Sequence, residues 1–202
     1  MNDHSGHENK HEYYTFPLGE IGANCYIVDC GGGTAAVIDP GDEAEVIVGE
    51  LERLHLCPGA VLITHGHFDH AVDGYKFQNI GVKTYITETD NEILSNSKNL
   101  GKYCGVKTTP YVADVFLKEG DYEIGVIKFS VIFTPGHTAG SCCFLFGDVL
   151  ISGDTLFYGG YGRTDFPTGS FDDIKKSINN KLFALPRSTK VYPGHGEPTT
   201  IG

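Results

Sequence analysis

No apolar run in the 202-residue sequence approaches the roughly 18 to 20 residues that a membrane-crossing helix needs, and the N-terminus is polar where an export leader would be basic and then apolar. Neither a membrane span nor a secretory signal is expected. Positive charge is also scarce, with 15 Lys and Arg against 26 Asp and Glu and a formal net charge of -11. Nucleic-acid binding needs a basic surface to neutralise phosphates, so that class is set aside. The six cysteines, Cys25, Cys30, Cys57, Cys104, Cys142 and Cys143, include no C-x-x-C pair. Their spacing suggests neither a zinc ribbon nor a disulfide framework, and reduced thiols in a cytoplasm are expected.

Against these shortages stands a concentration of histidine. Thr64-His65-Gly66-His67-Phe68-Asp69-His70 directly follows the apolar run Ala60-Val61-Leu62-Ile63. Three imidazoles and a carboxylate within six residues suit Zn, Mn or Fe, and the apolar run reads as a short buried strand that delivers them to its C-terminal end. In an extended turn His65 and His67 point the same way and can clasp one ion. Asp69 is placed to cap a helix through Ala71 to Phe77, and His70 follows on the next face as half of a second pair.

The rest of the sequence supplies the scaffold. Residues 1–12, with His4, His7 and His11 in a polar setting, are expected to form a flexible tail, and residues 13–202 a single domain. Strands are expected at Tyr13–Phe16, Asn24–Val28, Thr34–Ile38, Ala60–Ile63 and Val82–Ile86. A second set covers Asp114–Leu117, Tyr122–Ile124, Ile127–Phe133, Ser141–Phe146, Val149–Ser152 and Val191–Tyr192. Helices are expected at Ala44–Leu54, capped by Asp42, at Glu88–Leu94, opened by a Thr87/Asp90 capping box, and at Phe171–Asn180, capped by Ser170. Asp39, ahead of Pro40-Gly41, reads as a turn residue, with a place near the metal edge of the sheet as the alternative. Ser95–Pro110 is polar and irregular. Two strand-rich halves, each with helices, imply an α/β four-layer αββα sandwich. Three later strands end in tight turns that each carry a potential ligand: Thr134-Pro135-Gly136-His137, Gly153-Asp154-Thr155 and Pro193-Gly194-His195.

These four motifs, in this order, resemble the metallo-β-lactamase superfamily and within it the small glyoxalase II-like hydrolases. The resemblance implies that His65, His67 and His137 hold one divalent ion, that Asp69, His70 and His195 hold another, and that Asp154 bridges them. Zinc is the expected metal, with iron or manganese as alternatives. It further implies that Asp69 and Asp154 act with a metal-bridging hydroxide to hydrolyse a small acyl thioester, S-D-lactoylglutathione or a related glutathione-derived compound. Arg163 in Gly162-Arg163-Thr164-Asp165-Phe166 falls where longer glyoxalase II enzymes carry a lysine near the substrate; it and Tyr158 and Tyr161 are candidate substrate contacts. Glyoxalase II proper has a C-terminal helical domain, whereas this sequence ends seven residues after His195, so glutathione specificity does not carry over. The persulfide dioxygenases of the same fold, which bind one iron through positions matching His65, His137 and Asp154, are the alternative. A non-catalytic metal-binding module is a remoter one. The expected partner is a small-molecule substrate, with neither nucleic acid nor membrane.

Overall fold

Each strand buries one side of its pleat against a partner sheet and the other against helices. In the computed structural model, which describes residues 11–202, the first sheet holds β1 (Glu12–Leu18), β2 (Ala23–Asp29), β3 (Thr34–Ile38), β4 (Cys57–Leu62), β5 (Thr84–Thr87) and β6 (Val115–Leu117), side by side in that order. The first three strands are antiparallel and the last four parallel. Parallel pairing requires crossovers. All three contain helices: α1 (Ala44–Arg53) between β3 and β4, α2 (Phe68–Ala71) with α3 (Gly74–Asn79) between β4 and β5, and α4 (Glu88–Leu94) between β5 and β6. The second sheet contains β7 (Gly120–Ile124), β8 (Ile127–Phe133), β9 (Cys142–Phe146), β10 (Val149–Gly153), β11 (Lys190–Pro193) and β12 (Thr199–Thr200). Only β10 and β11 are parallel there, and the crossover between them carries α5 (Phe171–Asn180).

The alternation expected along the strands sorts the core into layers. Tyr26, Val28, Ile38 and Leu62 meet Phe129, Val131, Phe144 and Ile151 between the sheets. Their sequence neighbours Ile27, Val37, Val61 and Ile63 face the other way, onto Ile47 and Leu51 of α1, Phe77 of α3 and Leu94 of α4. On the far side Cys143, Leu150 and Val191 pack against Ile174 and Ile178 of α5. The result is the four-layer αββα sandwich that the sequence implied. Among the described residues no helix is long and apolar enough to cross a membrane.

Several local expectations are corrected. Of the tail expected over residues 1–12, residues 1–10 lie outside the described residues, while Glu12 already pairs with Asp29 across β1 and β2. His11 Nδ1–H donates to the Asp29 carbonyl (3.0 Å). Asp42 does not cap α1: its carboxylate accepts the N–H of Glu43, which occupies the cap position at φ 68° without a capping bond. The first-turn N–H of Ala44 is satisfied instead by Asp73 Oδ2 at 2.9 Å, from the junction of α2 and α3. Asp69 lies inside the first turn of α2, with His67 at the cap, and the single helix expected there divides at Val72-Asp73. The caps at Thr87 and Ser170 form as expected, accepting from Asp90 N and Asp173 N.

The layering separates the thiols into two classes. Cys57 and Cys104 are exposed; the other four are buried. Burial pushes the Cys25 and Cys142 thiols well up and those of Cys30 and Cys143 up to about 11. A thiol-disulfide reagent at pH 8 should therefore react promptly with two thiols in the native protein and six after denaturation. Prompt reaction of four or more in the native protein would contradict the layering.

Candidate metal centre

The edge of the sandwich where β4, β8, β10 and β11 end carries the four motifs. His65 and His67 lie in the turn after β4 and Asp69 and His70 on α2. His137 follows β8, Asp154 follows β10 and His195 follows β11. Main-chain bonds stitch these turns across the two sheets: Cys142 N–H donates to Thr64 O (2.9 Å), and Asn24 N–H to Gly194 O (2.7 Å). Glycine is required at Gly194, because a Cβ there would collide with the Asp154 carboxylate and His70.

All seven residues expected as ligands converge. His65, His67 and His137 form one cluster, His65, His70 and Asp154 a second, and Asp69, His70 and His195 a third, with ligand atoms within 4.8 Å of one another in each. Asp154 ties them together: Oδ1 is 3.4 Å from His70 Nε2, and Oδ2 is 3.4 Å from His137 Nε2 and 3.6 Å from His195 Nε2. Nε2 of His65, His67 and His70 and Oδ1 of Asp154 are buried with no hydrogen-bond partner among the described residues. Buried polar atoms are nearly always paired. Four orphans on residues of one cluster of imidazole and carboxylate donors fit divalent metal ions of the zinc or iron kind.

Outer partners hold the rings for that task. His70 Nδ1–H donates to Asp39 Oδ2 (3.0 Å), which also accepts the Thr64 hydroxyl (2.6 Å). Thr64 Oγ1 in turn lies 3.1 Å from His65 Nδ1 and accepts its proton. Asp39 Oδ1 accepts Thr64 N–H at 2.7 Å. Asp39 is thus buried and braces two ligand histidines, which corrects its reading as a turn residue. Its place at the end of β3, next to the strand that carries the histidines, is the sequence signal that points to it. His137 Nδ1–H donates to the Arg163 carbonyl (2.7 Å). These bonds put the proton on Nδ1 and leave Nε2 free. His67 differs: its Nδ1 is 2.9 Å from His137 Nε2, a contact satisfied by a proton or cation shared between them.

The charge state follows from burial and neighbours. Burial, with the neighbouring imidazoles, holds His65 well below the usual histidine range and His67 down to about 3, so both keep their lone pairs. Burial also opposes charge on His70, yet Asp69, Asp154 and Asp39 outweigh it and lift the ring to about 10, so its Nε2 holds a proton that a metal ion has to displace. For Asp69 burial pulls upward, but His70, His195 and His67 prevail and hold the carboxyl below the usual range.

Asp90 is a partner the sequence hid. It is fully buried; Oδ2 accepts Gly66 N–H (2.8 Å) and the Thr138 hydroxyl (2.6 Å), and Oδ1 accepts Gly140 N–H (2.7 Å). It therefore joins the His65-His67 turn of one sheet to the His137 turn of the other. The capping box with Thr87 is one-sided, because this carboxylate is occupied here.

The remaining candidates lie on the loop after Asp154. Arg163 is exposed and forks onto Asp165 through Nε (2.9 Å) and Nη2 (2.7 Å), with its guanidinium 4.2 Å from the centre of the Phe166 ring. Phe166 sets its ring edge-on to His67 and His137. Tyr161 stands beside Phe171, and Tyr158 is 76% exposed at the tip of the turn. A substrate carboxylate at Arg163 has to compete with Asp165.

An Asp39→Asn protein should keep an acceptor for Thr64 but lose the charge that holds His70 and, through Thr64, His65. Metal affinity is expected to fall about 10- to 100-fold. Competition with a chromophoric chelator measures this, and unchanged affinity would remove Asp39 from the metal's support.

The sequence profile described as Metallo-beta-lactamase superfamily matches residues 18–195. The hydroxyacylglutathione hydrolase GloC of Haemophilus influenzae is 33% identical over 193 residues, which cover 92% of this chain and 91% of that protein. Among solved structures, the BLEG-1 B3 metallo-beta-lactamase superposes with a TM-score of 0.89 at 36% identity, covering 94% of each chain. A di-iron-bound form of TTHA1623 superposes with a TM-score of 0.84 at 32% identity, covering 93% of this chain and 94% of that one.

Proposed function

The chain belongs to the metallo-beta-lactamase superfamily, and from that premise we propose that it is a two-metal hydrolase of a small acyl thioester, S-D-lactoylglutathione or a related compound. The observation that carries this reading is the set of orphaned buried donors around Asp154, which reaches histidines on both sides of the cluster. The similarity to GloC along most of both chains supports the thioester. The donor set supports zinc, and the di-iron form of TTHA1623 makes iron the metal to test beside it.

His65, His67 and His137 would hold one ion and Asp69, His70 and His195 the other, with Asp154 between them. When bound, such ions supply a water activated near neutral pH and a positive field for the carbonyl oxygen as it gains charge. The side chains contribute the geometry. Asp39 and Thr64 fix the tautomers of His65 and His70, and the Arg163 carbonyl fixes that of His137. Asp69, held ionised, orients the attacking water by accepting its hydrogen bond. No side-chain nucleophile is needed. A one-iron dioxygenase of this fold would use the positions of His65, His137 and Asp154, and metal content with dioxygen uptake separates it from the two-metal reading.

Protein purified without added metal should carry about two ions per chain and release free thiol from S-D-lactoylglutathione or an acyl thioester in a metal-dependent way. Full activity after metal stripping would overturn the proposal. So would turnover of a chromogenic cephalosporin with no thioester turnover, or dioxygen uptake with glutathione persulfide by protein holding one iron.

A further inference from the structure

The loop after Asp154 leaves the cluster and returns to it within eight residues. Phe157 and Gly160 exchange main-chain hydrogen bonds (2.9 and 3.3 Å), and Gly162 N–H closes back on the Asp154 carbonyl (3.1 Å). The Phe157 ring stands edge-on to His195, with centroids 6.2 Å apart. Phe157 also lines a cavity of about 520 Å³ between this loop, α5 and β12, so this one ring borders both His195 and the cavity. Its walls include Leu156, Tyr161, Phe171, Ile174 and Ile178, and Lys175 is its one charged side chain. Such a volume with mostly apolar walls falls within the usual range of small-molecule sites. Tyr161 and Phe171 are each about half exposed, 50% and 52%.

We propose that this cavity receives the aliphatic acyl chain of the thioester, which makes the substrate class an acyl thioester with an unbranched apolar chain of several carbons. The proposal rests on the thioesterase reading above and narrows it. A glutathione arm carries two carboxylates and an ammonium, which hydrocarbon walls with one amine cannot pair, and burying unpaired charge is costly. An alkyl chain meets no such cost and is favoured for every methylene buried. With the scissile carbonyl at the metal ligands, the chain runs past Phe157 into the cavity. The thiol carrier is left on the open side, by Arg163. Tyr161 thereby becomes an acyl contact, and Tyr158, which does not line the cavity, has no role in chain binding.

Gly160 allows a direct test. Gly160 lines the cavity, a Cβ at this position meets nothing within 4 Å, and its backbone does not need the left-handed region, so Gly160→Trp sets an indole at the cavity wall without backbone strain. It also places a tryptophan reporter in a chain that has none. The metal-loaded protein is assayed with N-acetylcysteamine thioesters from butanoyl to octanoyl. The expected result is kcat/KM rising with chain length, by up to about four-fold per methylene at full burial, with that dependence lost in Gly160→Trp. Separately, a dansyl-labelled undecanoate is titrated into metal-stripped protein, where catalysis plays no part; it should bind the wild type and not the variant.

Hydrolysis of every thioester at the same kcat/KM would overturn the acyl-chain proposal and leave the hydrolase reading standing. Absence of all hydrolysis, with fatty-acid binding that Gly160→Trp removes, would keep the cavity as a chain site and overturn the reading it rests on. Equal fatty-acid binding by both proteins would overturn the placement. So would sedimentation showing a wild-type dimer that Gly160→Trp dissociates, because a second copy would then cover the cavity.

Discussion

An Asp154→Ala protein should hold about one ion per chain in place of two and lose about a thousand-fold in kcat/KM for thioester hydrolysis. The physical reason is the position of its carboxylate. Oδ1 reaches His70 while Oδ2 reaches His137 and His195, so one anion serves donors from both sides of the cluster. Two dications held close together repel with four times the Coulomb energy of unit charges at the same distance, and an anion between them offsets that repulsion. Without it each ion would lose one carboxylate contact and the repulsion between the two would be uncompensated. Loss of one ion removes about 4 kcal/mol of transition-state charge stabilisation, the equivalent of a thousand-fold in rate. Elemental analysis gives the stoichiometry and thiol release the rate. A variant that retains two ions and most of its activity would show that Asp154 is not the bridge.

The second large effect falls on stability. Asp90→Ala should lower the midpoint of thermal unfolding by about 10 °C, and replacing Asp90 by asparagine should recover only part of this. The carboxylate accepts three buried donors, Gly66 N–H, Gly140 N–H and the Thr138 hydroxyl. Each donor left unpaired costs about 1 to 3 kcal/mol, and for a protein of this size each kcal/mol is worth about 2 to 4 °C. The asparagine amide offers one acceptor oxygen, and its NH₂ group turns a donor toward donors. Because Asp90 joins the His65-His67 turn to the His137 turn, metal affinity should weaken together with stability. A melting shift below 2 °C for the alanine variant would mean that these bonds contribute little.

The sequence by itself determined which residues gather at the cluster. Seven candidate ligands stand in four motifs, each ending a strand or following a tight turn, and their types limit the metal. Alternation along the strands determined the layers as well, because a pleat with apolar residues on both faces must lie between a sheet and a helix. Only the tertiary structure decided what holds those ligands in place. Asp39 looks like any acid ahead of Pro-Gly until the parallel pairing of β3 and β4 sets it beside Thr64 and His70. Asp90 looks like half of a capping box until packing of the two sheets brings the turns at Gly66 and Gly140 to its carboxylate. Asp73, and not Asp42, caps α1 for the same reason: the N–H groups at a helix start take whichever acceptor the fold delivers. Ligand type is a property of single residues and can be read along the chain. Apart from the Thr64–His65 contact between neighbours, the bonds that hold these turns and rings join residues 24 to 50 positions apart, and no local pattern records them.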